Sequence, residues 1–136
     1  MAWHSGSEAR NWGPSIHAAL IDTDGRVIAT RAVTTGDAHA KWRTLVALGD
    51  RVVLIWAGAD EAGTFALYFE QLSTTDLSEI TPRHPLARSE FANGDLIDPI
   101  ATLGPNGDIA VLYDDNRAGI YRSYFTRITC IDFEIR

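Results

Sequence analysis

The segment Leu48-Gly-Asp-Arg-Val-Val-Leu-Ile-Trp56 returns further along the chain as Leu103-Gly-Pro-Asn-Gly-Asp-Ile-Ala-Val-Leu-Tyr113. Each copy is a turn followed by an apolar run that ends in an aromatic residue. Such near-continuous apolar runs favour strands that are buried on both faces. Because similarity at a fixed spacing is typical of repeat architectures, the two segments predict a supersecondary unit that is used more than once.

The similarity continues beyond the aromatic residue of each copy. A loop that ends in glycine follows, and after it comes a strand that carries the dipeptide Tyr-Phe, at Tyr68-Phe69 and again at Tyr124-Phe125. A third, partial copy opens the chain, with Trp3 in the position of Trp56. In this copy Ser15–Leu20 aligns with the strand Leu67–Leu72. The repeat therefore covers most of the chain.

Each copy is interpreted as up to four short strands separated by turns. The predicted strands cover residues 15–20, 27–34, 45–48, 51–57, 64–72, 80–86, 99–103, 108–114 and 120–129. Glycine in Asp22-Thr-Asp-Gly25 and in Pro105-Asn-Gly107 is expected to supply the positive φ of a tight turn. Pro82 and Pro85 favour an edge strand, since proline cannot donate a hydrogen bond to a central ladder.

The predicted fold class is all-β, built from four-stranded antiparallel blades of a β-propeller. The chain would hold about 2.75 blades in a single domain, residues 1–136. The predicted boundaries are a partial blade at 1–42, a blade at 43–96 and a blade at 97–136. The alternative is a β-sandwich whose two halves are alike by chance.

The loop and strand motifs resemble the blade repeats of propeller-type bacterial proteins, most of them uncharacterised, which carry Asp-x-Arg-x-Gly followed by Tyr-Phe-x-Arg-Leu. Asp115-Asn-Arg-Ala-Gly119 and Tyr124-Phe-Thr-Arg-Ile128 fit this pattern closely, and Asp60-Glu-Ala-Gly63 with Tyr68-Phe-Glu-Gln-Leu72 fits it more loosely. The resemblance implies a propeller fold. It implies little about function, because one fold hosts many functions.

Fewer than three blades do not close a propeller, which typically needs about four to eight. An open stack would leave bare strand edges that promote aggregation. We therefore expect a homo-oligomer in which two or more chains complete one ring. The alternative is a fragment of a larger propeller.

The charge of the chain argues against two classes of partner. The formal net charge is −6, the isoelectric point is about 5.0, and Lys41 is the only lysine. Nucleic acids and anionic membrane surfaces require clustered basic residues, so neither is expected.

The N-terminal residues lack the basic and apolar regions of a signal peptide, and no apolar run reaches membrane-spanning length. As written, the chain is expected to be soluble and cytoplasmic, although a longer parent could be secreted.

The loops of one propeller face are the expected ligand site. The residues proposed to bind a ligand are Trp12, Trp42, Asp60, Asp115 and Arg117. An aromatic face and planar polar groups are what sugar recognition uses. The leading hypothesis is a non-catalytic module that binds carbohydrate or protein; the alternatives are a scaffold without a site and a glycan hydrolase of sialidase-like architecture. No catalytic residue, metal ligand or cofactor is assigned.

Overall fold

The computed structural model describes residues 1–5, 15–34, 40–59, 64–88, 96–116 and 119–129. Within these ranges the regular elements are ten β-strands in three antiparallel sheets. The first sheet contains β1 (Ala2–Ser5), β2 (Ser15–Ile21) and β3 (Val27–Ala32). The second contains β4 (Lys41–Leu48), β5 (Arg51–Ala59), β6 (Phe65–Ser73) and β7 (Glu79–Arg88). The third contains β8 (Leu96–Leu103), β9 (Ile109–Asp115) and β10 (Arg122–Ile128).

In every sheet the strands follow one another in chain order, so each sheet is a simple meander. The predicted all-β class is confirmed. β4 begins the second sheet at Lys41, and β8 begins the third at Leu96. None of the elements in the described ranges is a helix long and apolar enough to cross a membrane.

Glycine supplies the positive φ that the two predicted turns require. Gly25 has φ 81° and Gly107 has φ 80°. In the first turn, Asp22 Oδ1 accepts the backbone N–H groups of Asp24 and Arg26 at 2.9 and 2.8 Å. This side-chain bond fixes the turn between β2 and β3. The edge position predicted from Pro82 and Pro85 is also confirmed, because both lie in β7 at the end of the second sheet.

The second sheet lies between the other two and is covered on both faces. On one face, Leu54 and Trp56 pack against Ile16 of the first sheet. On the opposite face, Ile55 and Phe69 pack against the third sheet. This explains why the apolar run of β5 shows no alternation with polar residues.

A cross-strand aromatic pair recurs in all three sheets. Trp56 lies opposite Tyr68 and Tyr113 lies opposite Tyr124, each pair with ring centroids 5.9 Å apart. In the first sheet Trp3 lies opposite His17, with the ring centroids 5.4 Å apart. The repeat in the sequence is therefore a repeat in structure.

The register corrects one detail of the sequence alignment. The alignment of Ser15–Leu20 with Leu67–Leu72 puts Ile16 in the position of Tyr68, whereas the strand pairing puts His17 there. A shift of one residue exchanges the faces of a strand. Ile16 instead faces the second sheet, where it is fully buried.

Candidate functional site

One edge of the stacked sheets collects the strand ends beside the predicted ligand-binding loops. β5 and β9 end there, at Ala59 and Asp115. β4 and β8 begin there, since Lys41 is paired with Ala57 and Leu96 is paired with Asp115. We name this the loop edge. The turn Asp22–Arg26 lies at the opposite edge.

The structure brings two of the five predicted residues to this edge. Trp42 is half-buried and packs against the apolar cluster that contains Leu96 and Tyr113. Asp115 lies directly opposite Leu96 across the β8–β9 ladder. Leu96 thus links the two positions, because it belongs to the cluster on which Trp42 packs and is the ladder partner of Asp115. The remaining three predicted residues lie outside the described ranges: Trp12, Asp60 and Arg117.

Asp115 differs from the exposed loop acid that the sequence indicated. It is fully buried, as the last residue of β9. Counted from the equivalent aromatic residues Trp56 and Tyr113, Asp115 corresponds to Gly58, while Asp60 corresponds to Arg117. The two acids thus occupy different positions in their repeats. A buried carboxylate can orient neighbouring groups at a site, whereas contact with a ligand requires that its covering residues move.

The first strands of the second and third sheets share an irregularity at the loop edge. The ladder register shifts between Lys41 and Arg43, and again between Ile97 and Ile100. Trp42 and Asp98 lie in these two bulges with φ of 45° and 49°, and they occupy equivalent repeat positions. A bulge redirects a side chain, and bulges are frequent beside functional sites. Positive φ in residues other than glycine costs energy and is concentrated at such sites.

Asp98 was missed by the sequence reasoning, although it is exposed at the loop edge. The available signal was the repeat itself, because Asp98 in the third sheet is equivalent to Trp42 in the second. Together the two bulges offer an indole ring and a carboxylate on equivalent strands. The structure thus adds Asp98 to the residues that the sequence predicts to bind a ligand.

Strain at Asp98 can be measured. We expect Asp98→Gly to raise the free energy of unfolding by about 0.5–1 kcal/mol, because glycine adopts positive φ without a Cβ clash. Urea unfolding followed by circular dichroism measures this. Asp24→Gly is the matched control, since Asp24 is exposed in a turn without positive φ and should lose stability. Equal destabilisation by both substitutions would contradict strain at the bulge.

A second polar group lies between the first and second sheets. Glu70 of β6 is 2% exposed, and burial raises its pKa from 4.5 to about 7 by disfavouring the charged form. Arg31 and Arg83 lower the pKa, and Glu79 raises it. Glu70 Oε1 has no hydrogen-bond partner within the described part of the chain. Sequence alone gave no sign of this group, because its burial depends on the neighbouring sheet.

The two arginines near Glu70 make their closest contacts with other groups. Arg31 Nη2 lies 3.1 Å from Glu79 Oε2, and Arg31 Nη1 donates to the Leu77 carbonyl oxygen at 3.4 Å. Arg83 lies over the Tyr68 ring, 4.9 Å from its centroid. Burial therefore outweighs both arginines in setting the pKa of Glu70, and the fold favours the protonated carboxyl. Perturbed acids of this kind occur at functional sites and in structural networks alike.

Two clefts lie away from the loop edge. One, of about 330 Å³, lies between β7 and β10 and is lined by Phe69, His84 and Arg127 among others. The other, of about 490 Å³, lies at the opposite edge near Leu48 and Leu103. Among the residues that the structure describes, no group of three His, Cys, Asp or Glu side chains could hold a metal ion.

Comparison of the chain with protein-family models, with curated proteins and with solved structures found no match in any of the three. The resemblance to propeller-type repeats accordingly stays a prediction from the motifs. Function has to be argued from the site, because a fold alone does not determine it.

Proposed function

We propose that the chain supplies blades of a β-propeller and that its loop edge binds carbohydrate without turning it over. The support for blades is the stack of three antiparallel meanders, each with an aromatic pair at the equivalent position. The first strands β4 and β8 also pack against each other. In a propeller the first strands surround the axis, so this contact is the one expected between successive blades.

The ligand class follows from the chemistry of the loop edge. The observation that carries it is the equivalent placement of Trp42 and Asp98 in two bulges, both neighbours of the strand end at which Asp115 lies. An indole face packs on the apolar face of a sugar ring, and a carboxylate accepts hydrogen bonds from its hydroxyl groups.

A glycan array is the experiment for this proposal. We expect the unmodified chain to bind at least one glycan on the array. In a calorimetric titration, Asp98→Asn should weaken this binding about tenfold or more, because one charge-assisted hydrogen bond is lost. Asn tolerates the positive φ of this bulge, so the fold is kept. Asp24→Asn at the opposite edge is the matched control and should bind as the unmodified chain does.

Two results would contradict the proposal. The first is that the chain binds no glycan on the array, or that Asp98→Asn binds the same glycan with unchanged affinity. The second is loss of the bound glycan by cleavage, seen as smaller saccharides by mass spectrometry after incubation. Cleavage would favour the hydrolase hypothesis over a binding module.

A further inference from the structure

The outer face of the third sheet carries a row of exposed apolar side chains. Ile100 lies opposite Leu112, and Leu112 lies opposite Phe125, so the three side chains are neighbours across β8, β9 and β10. Their exposed fractions are 66%, 46% and 66%. Contiguous exposed apolar patches are a common feature of protein–protein interaction sites. We name this surface the trailing face.

The same row exists in the second sheet, where it is covered. Counted from the aromatic pairs, Leu112 and Phe125 correspond to Ile55 and Phe69, which also lie opposite each other. Ile55 is 0% exposed and Phe69 is 5% exposed, because Ile109 and Val111 of the third sheet pack on them. The trailing face is therefore the surface that, within the chain, receives the next sheet.

The packing within the chain also shows which face of a sheet covers a surface like the trailing face. The covering sheet presents the face that bears its aromatic pair: Trp56 lies in the cluster between the first and second sheets, and Tyr113 in the cluster between the second and third. Among the residues that the structure describes, one such face has no sheet packed on it. It belongs to the first sheet and carries Trp3 stacked on His17, with Trp3 half-exposed. We name it the leading face.

We infer that the trailing face of one chain docks on the leading face of a second copy of this chain. The inference rests on the stacked-blade arrangement of the proposed function. The contact is continuous with the packing between the second and third sheets and repeats it between chains. It is head-to-tail, since two different surfaces meet.

The number of sheets limits the size of the assembly. Two copies supply six sheets, which lies within the range of about four to eight blades in closed propellers. Three copies would supply nine and exceed it. A closed pair with two identical joints is therefore expected, with twice the chain mass of 14.9 kDa.

A mixing experiment separates this arrangement from other associations. The variant Leu112→Ser with Phe125→Ser removes the trailing face, and Trp3→Ala removes the leading face. All three side chains are at least partly exposed, so each variant should keep its fold. By light scattering, each variant alone should have the mass of one chain, because it retains one face without its counterpart. An equimolar mixture should have the mass of two chains.

Leu103→Ser is the matched control, because Leu103 is an exposed apolar residue outside the trailing face. It should leave the unmodified assembly intact. A Trp3→Ala variant that still pairs with itself would overturn the head-to-tail contact, and so would a mixture that keeps the single-chain mass. Glycan binding by a single chain would show that the proposed function holds although the docking does not.

Discussion

Replacement of Trp56 by alanine is expected to lower the free energy of unfolding by about 3–5 kcal/mol, the range for a large aromatic residue removed from a core. Trp56 is 1% exposed and lies in the cluster between the first and second sheets. The substitution leaves a cavity beside Leu54 and removes the ring contact with Tyr68. Since small domains are stable by only about 5–15 kcal/mol, this loss is a large fraction of the total stability.

The repeat supplies a matched control for this substitution. Trp3 occupies the equivalent position in the first sheet but is half-exposed. The comparison is made in the variant that lacks the trailing face, because there no second copy covers Trp3. In that background, Trp3→Ala should lower the free energy of unfolding by about 1 kcal/mol or less. Urea unfolding of both variants, followed by circular dichroism, gives the comparison. Equal losses at Trp56 and Trp3 would contradict the burial of Trp56 between two sheets.

Replacement of Glu70 by glutamine is expected to stabilise the protein at pH 8 by about 3 kcal/mol, since one pKa unit corresponds to about 1.4 kcal/mol. The pKa of Glu70 is raised from 4.5 to about 7 in the folded protein, chiefly by burial. The fold therefore favours the protonated carboxyl. Its contribution to stability is present below pH 4.5 and is lost as the pH rises through about 7. Glutamine is neutral at every pH and keeps the shape of the protonated acid.

The measurement is urea unfolding of the unmodified chain and of Glu70→Gln at pH 4, 6 and 8. The difference between the two should be small at pH 4 and should grow toward pH 8. Asp24→Asn is the control, because Asp24 is an exposed acid in the turn between β2 and β3, and its substitution should change the free energy of unfolding by about 0.5 kcal/mol or less. Parallel pH profiles for the unmodified chain and Glu70→Gln would contradict a raised pKa at this position.

The strands and turns were predictable because their signals are local. The apolar run Val52–Trp56 indicates a buried strand without any knowledge of its partners, and β5 covers it. Gly25 and Gly107 indicate turns because few other residues adopt positive φ readily, and both turns form. Proline in β7 indicates an edge for an equally local reason.

The features that sequence reasoning missed depend on packing between strands or between sheets. The bulges at Trp42 and Asp98 arise from the register of a ladder, which no single strand specifies. Asp115 was predicted to bind a ligand from its place in a loop motif, but β9 extends to include it and buries it. The burial of Glu70 likewise requires the first sheet, which lies far away in the sequence.

The mass of the unmodified chain in solution is the decisive quantity, because the three sheets present equivalent faces and one apolar face of the third is exposed within a single chain. It is measured by light scattering on a sizing column over a range of concentrations. Docking of the trailing face on a second copy predicts a mass of twice 14.9 kDa at micromolar concentration and above. A mass of 14.9 kDa at every concentration would contradict it.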